Sequence, residues 1–394
     1  MSNLALGTAC DVRVLSVALL LSIIAMPLAK AQTYTVRYSF QGYPVDGQSP
    51  YSGPVRDAAG NLYGTTYWGG AANGGALYKL DPTGAETVLH SFGAQSTDGY
   101  GPGGLTLDSA GNLYGTTEFG GAYRSGTVFK VTPDGTEIVL YSFGATLTDG
   151  LNPFAGVILD SAGNLYGTTA DGGSLRNGTV FRVDPSGTET VLYSFAGYPS
   201  DGATPTGSLV RDAAGNLYGT TSSGGSMNYG VVFKLDATGK ETLLHDFVGL
   251  ADGATPGDLV RDASGNLYGP AGGGVGRCGV VFKVDTTGKL TLLHTFTGHG
   301  DGSGPESLTL YKGDLYGTTG YGGAPICNFR EGIGCGVVFK LNTSGKLTVL
   351  YQLTGGKDGA TPVSVLAHDN EDNWYGAAAS GGSEGDGVVF KVKP

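Results

Sequence analysis

The chain of 394 residues carries 23 basic and 34 acidic side chains, a net charge of -11, and only 14% of its residues are charged. That balance repels phosphate backbones and excludes nucleic acid as an expected partner. Its 72 glycines would spell low complexity if they were scattered, but they recur at fixed offsets between short apolar runs, which is the turn chemistry of a folded chain.

At the start, Arg13 opens an apolar run from Val14 to Ala25, Pro27 breaks it, and Ala29-Lys30-Ala31 forms a small-x-small cleavage site. Residues 1–31 therefore read as a signal peptide that takes Cys10 with it, and residues 32–394 as the mature chain. The run is shorter than the ~20 residues a spanning helix needs, and no second run of that length follows. The expectation is a chain without a membrane span, secreted to the periplasm or the exterior.

From there the chain repeats. NLYG stands at Asn61, Asn112, Asn164, Asn216 and Asn266, then DLYG at Asp314 and NWYG at Asn373, with steps of 51, 52, 52, 50, 48 and 59 residues. Seven copies at that period predict an all-β fold, a seven-bladed β-propeller. In the fourth copy SLVRD, NLYGTT, GVVFKL and ETLLHDF are four β-rich runs, which make one four-stranded blade. The first and third connections are short, while the second-to-third and blade-to-blade connections are long and Gly-rich, and both emerge on one face. The small residues of NLYGTT are expected to make room for a neighbouring blade's Tyr. TYTVRYSF from Thr33 to Phe40 matches a fourth strand, and the chain stops after GVVFKV, a third strand. The N-terminal strand is therefore expected to complete the last blade and close the ring, leaving no open edge.

The blocks GNLYGTT, GTVFKV or GVVFKL, VLYSF and DGATP, recurring in fixed order across the mature chain, resemble the GloVer tandem-repeat proteins of bacteria. The resemblance implies an exported, propeller-like protein. Members of that family often end in a sorting or anchoring segment, whereas this chain ends at Lys393-Pro394, which implies free secretion. The DxxGNLY hairpin is more loosely similar to turns in streptogramin lyases and gluconolactonase-like enzymes, an analogy of fold and not of site.

In a repeat protein, what all copies share is architecture, and chemistry is sought where they differ. The seven Asp-Gly pairs (Asp46, Asp98, Asp149, Asp201, Asp252, Asp301, Asp358) could ring a cation, but turn preference favours a structural role. His90, His245 and His294 replace Tyr38, Tyr141, Tyr193 and Tyr351 of other copies and read as packed ring substitutes; His299 and His368 lack a metal-ligand spacing. No nucleophile-elbow or other catalytic set stands out. Real deviations are Pro270-Ala271 in place of Thr-Thr, an enlarged loop from Ala324 to Gly334, and HDNEDNW from His368, where Asp369, Glu371 and Asp372 are candidates for loosely held calcium against a plain hairpin tip.

Aromatic and basic residues gather in the variable loops: Tyr67, Trp68, Phe119, Tyr123, Arg124, Arg176, Tyr229, Tyr321 and Arg330. Such side chains suit stacking on sugar rings or a protein partner, and loop packing is the competing explanation. An oxidising compartment favours a disulfide, with Cys327–Cys335 the local pair and Cys278 an alternative partner for either. The sequence thus points to a monomeric, secreted binding protein for a polysaccharide or cell-surface glycan, with an extracellular protein as the second ligand class. The competing classes are an extracellular propeller enzyme, a polysaccharide lyase or hydrolase or a streptogramin-lyase-like protein, and a structural envelope protein.

Overall fold

The computed structural model describes residues 32–323 and 334–394. The signal segment, Cys327 and Arg330 lie outside the described residues. Among the described residues, seven antiparallel sheets of four or five strands follow one another along the chain, with three two-stranded sheets in the connections. The fourth is representative: Val210–Arg211, Leu217–Thr221, Val231–Leu235 and Glu241–Asp246 pair in that order, from the inner strand outward. The seventh blade is made from both ends of the chain. Thr33–Ser39 lies against Val388–Lys393 with Thr33 opposite Lys393 and Ser39 opposite Val388, so the expected ring closure is present. This junction carries the same bulge that interrupts the outer pair of the other blades, here between Val36 and Tyr38.

The repeated NLYGTT has a cause at each position. Gly219 faces Phe233 across the strand pair, and a Cβ there would stand 2.7 Å from the Phe ring. The glycine therefore makes room for the Phe of its own blade, and the expected accommodation of a neighbour's Tyr is not what it serves. The adjacent Tyr218 packs into the cluster of the next blade with Leu259, Leu267 and Phe282. The first Thr of the pair crosses the seam: Thr65 donates to the Gly103 carbonyl at 2.7 Å, Thr116 to Ala155 at 2.8 Å and Thr220 to Gly257 at 3.0 Å. A hydrogen bond of this kind contributes about 1 kcal/mol net.

The core lies between blades. At six seams the Phe that ends an outer strand meets an aromatic ring of the next blade's third strand, as in Phe143–Phe181 at 4.9 Å and Phe195–Phe233 at 5.1 Å. Those phenylalanines are fully buried, each contributing on the order of 1.5 to 3 kcal/mol. No blade can bury its faces alone, which is why the repeat needs the ring.

Candidate functional site

Each blade-to-blade connection hydrogen-bonds with the second-to-third connection of the blade it enters: Gly47–Gln48 with Trp68–Gly69, Gly150–Leu151 with Asp171–Gly172, Gly202–Ala203 with Ser223–Gly224. Both long connections therefore share one face. Where they meet the ring axis, the inner strands surround a cavity of about 640 Å³. Its mouth is set by one sequence column, the residue after the proline of each DGxxP segment. That column reads Tyr51, Gly103, Phe154, Thr206, Gly257, Glu306 and Val363, all seven of which line the cavity.

The asymmetry of this column gives the mouth its chemistry. Tyr51 is 47% and Phe154 37% exposed, and Tyr51 stands 6.2 Å from Tyr67 and 6.3 Å from Phe154 between ring centres. Tyr67, also in the lining, donates its hydroxyl to Glu118 at 2.6 Å and packs edge-on against Trp68. Burial raises the Tyr51 phenol above its ordinary value, and the charges of Glu306, Tyr321 and Glu118 add to it. Desolvation also holds the Glu306 and Asp258 carboxyls above their usual range; Asp258 accepts the Ser208 N–H across a seam at 2.8 Å. The mouth is thus an aromatic wall beside carboxyl groups, shaped to stack on a flat apolar face while accepting hydrogen bonds.

Of the residues expected from sequence, Tyr67 lines this cavity. Trp68 is 43% exposed beside Tyr67, and Phe119 stacks on Tyr100 with ring centres 5.3 Å apart. Tyr321 lies close enough to Tyr51 to affect its ionisation. Tyr123 and Tyr229 are exposed; Arg124, in the left-handed backbone region, is also exposed. Arg176 lines a separate cavity of about 490 Å³ with Leu147 and Asp171. Tyr51, Phe154, Glu118, Asp258 and Glu306 do not stand out from loop composition; aligning the residue after each DGxxP proline exposes three of them, Tyr51, Phe154 and Glu306.

The calcium candidates are held in structure. Asp369 accepts the Glu371 and Asn373 N–H groups, the Asn373 amide and the Tyr375 hydroxyl, and Asp372 pairs with Lys312 at 2.8 Å. The same Asp ties the hairpins of the first five blades, as Asp57 does with Asn61 and Tyr63, while the sixth turns through Lys312-Gly313 without it. The Asp-Gly aspartates likewise cap their own loops, as Asp149 does by accepting the Gly144 and Ala145 N–H groups.

The repeat family described as the Gloeobacter/Verrucomicrobia repeat matches residues 23–214 and 199–333. No curated protein matches in sequence. Among solved structures, a streptogramin B lyase superposes with a TM-score of 0.62 at 14% identity, over 92% of this chain and 97% of that one. The extracellular domain of a putative hybrid two-component system from B. thetaiotaomicron gives 0.60 at 12% identity, over 93% of this chain and 41% of the other. A second such domain from that organism gives 0.60 at 16%, over 92% and 42%. At these identities the likeness is one of fold, the seven-bladed ring.

Proposed function

Because the chain belongs to the Gloeobacter/Verrucomicrobia repeat family and what its repeats share is architecture, we propose that its function resides where the blades differ, at the mouth of the central cavity, as an exported glycan-binding propeller. The observation that carries this reading is the wall of Tyr51, Tyr67 and Phe154 beside Glu118 and Glu306 at the mouth of the 640 Å³ cavity. Aromatic faces stack on the apolar face of a sugar ring, and carboxylates accept from its hydroxyls. Carboxyl groups at the mouth favour a neutral or amino-bearing glycan over an acidic one. Export rests on the Arg13-to-Ala31 signal pattern. No helix among the described residues is long and apolar enough to cross a membrane.

A glycan-array screen of the mature protein tests the reading, followed by Tyr51→Ala and Phe154→Ala on the best hit. Each substitution should weaken binding tenfold or more and leave the melting temperature nearly unchanged. Full affinity in both variants would place the ligand elsewhere.

A second reading, a glycan-cleaving enzyme, draws on Asp258 and Glu306. Carboxyls whose pKa is raised by desolvation inside a cleft are suited to general-acid work. Release of reducing ends from any array hit, lost in Asp258→Asn or Glu306→Gln, would favour it.

A further inference from the structure

The seams between blades repeat a second constellation on which the glycan reading does not depend. At each seam the Asp of the Asp-Gly pair stands near an outer-strand ring from its own side, and the following blade supplies one outer-strand residue at the repeat position of Glu86. The trios run Tyr38, Asp46, Glu86; His90, Asp98, Glu137; Tyr141, Asp149, Glu189; Tyr193, Asp201, Glu241; His245, Asp252, Leu290; His294, Asp301, Leu347; and Tyr351, Asp358, Tyr34. Where the ring is Tyr, its hydroxyl donates to the Asp at 2.6 to 3.0 Å. Where it is His and no Glu follows, the imidazole contacts the Asp at 2.9 or 3.2 Å.

The seam between the first and second blades is the one that combines His, Asp and Glu among the described residues. There His90 Nε2 stays 3.5 Å from Asp98 Oδ2, longer than at the other His seams. The ligand atoms of His90, Asp98 and Glu137 lie within 4.8 Å of one another. One atom of each, His90 Nε2, Asp98 Oδ1 and Glu137 Oε1, is buried without a hydrogen-bond partner. Asp98 is 6% exposed, and its other oxygen is fixed by the Gly93 N–H at 2.8 Å. A buried polar atom left unsatisfied forfeits its hydration without replacement, so three such atoms converging call for a partner that takes them together.

We propose that His90, Asp98 and Glu137 form a binding site for a divalent transition-metal ion of the zinc type at this seam. One imidazole nitrogen and two carboxylate oxygens are a donor set that zinc accepts, and the two negative charges balance the ion. Zinc bonds of about 2.0 to 2.2 Å set ligand atoms roughly 3.3 to 3.6 Å apart, so the trio must draw in by about 1 Å, within reach of the Glu137 side chain. Three protein ligands leave a fourth position for water. Because the ligands come from both blades, the ion would clamp the seam.

The test uses untagged protein stripped with EDTA and titrated with zinc chloride, read by calorimetry and by thermal unfolding. Wild type should take up one zinc ion and melt at a higher temperature with it. His90→Tyr installs the ring that four other seams carry, and Glu137→Leu the residue that two others carry, so both suit the fold. Each should weaken zinc binding by about a hundredfold or more and remove the thermal shift. Should one variant fail to fold, the other decides. Absence of zinc uptake by wild type, or equal uptake by the folded variants, would overturn the proposal and leave the trio as a polar cluster of the seam.

Discussion

Glu86, Glu189 and Glu241 each begin an outer strand and reach back across a seam to the Asp of the preceding blade. Burial first, and then the charge of Asp46, Asp149 or Asp201, pushes each carboxyl from 4.5 up to about 7. A folded-state acid with a raised pKa holds a proton that the unfolded chain has released, so these groups make stability fall as pH rises from about 4.5 to 7. The hairpin aspartates act in the opposite sense. Burial alone would raise Asp57, Asp160 and Asp212, but hydrogen bonds from Asn, backbone and Tyr outweigh it and lower them. Their contribution is present above the ordinary Asp range near 3.8 and is lost as pH drops through their folded values. Together they predict maximal stability at about pH 4 to 4.5. Replacing Glu189 and Glu241 with Gln should recover about 1 kcal/mol per seam at pH 7.5 after solvent screening, with little change at pH 5. Urea midpoints at both pH values check this; equal effects at both would mean the carboxyls are ionised in the fold without penalty.

Strands and hairpins were legible in the sequence because their causes are local or repeat. NLYG marks each second strand, and the Asp-x-x-Gly-Asn turn is tied by its own side chains, so period and turn chemistry sufficed. Pairwise distances across seams were not legible. His90, His245 and His294 read as packed rings, which they are, yet the carboxylate each one faces belongs to a connection seven or eight residues on, and the Glu beside His90 belongs to another blade. The channel mouth was hidden for the same reason: Tyr51 and Glu306 are far apart in sequence and meet only when the ring forms. The Thr-Thr element makes a testable contrast. Thr220→Val should cost about 1 kcal/mol by leaving the Gly257 carbonyl without its 3.0 Å partner, whereas Thr220→Ser, which keeps the hydroxyl and removes only the methyl group, should cost less; the fifth blade carries Pro270 at this place and makes its seam without the hydroxyl. An equal loss in both variants would point to sterics in place of the seam hydrogen bond. Cys278 carries a free thiol, and pairing of Cys327 with Cys335 is the expectation to check by peptide mapping without reduction; a bonded Cys278 would refute it.

For the whole molecule, stability is a property of the closed ring. Deleting Thr33–Phe40 would bare the edge of Val388–Lys393 and remove the fully buried Phe40 together with Tyr34, which stacks on Tyr351 at 3.9 Å. A loss of several kcal/mol and concentration-dependent aggregation are expected, since a free strand edge templates pairing. An unchanged melting temperature with no aggregation would show that the outer strand is dispensable. The closure has a mechanical consequence as well. Thr33 and Lys393 face each other at the same end of their strand pair, so tension applied through the two chain ends would peel that ladder open rung by rung, loading one pair of hydrogen bonds at a time. A ring held together by seven shared seams would then yield to a weak pull in one direction, like a zip whose tab is the terminal pair.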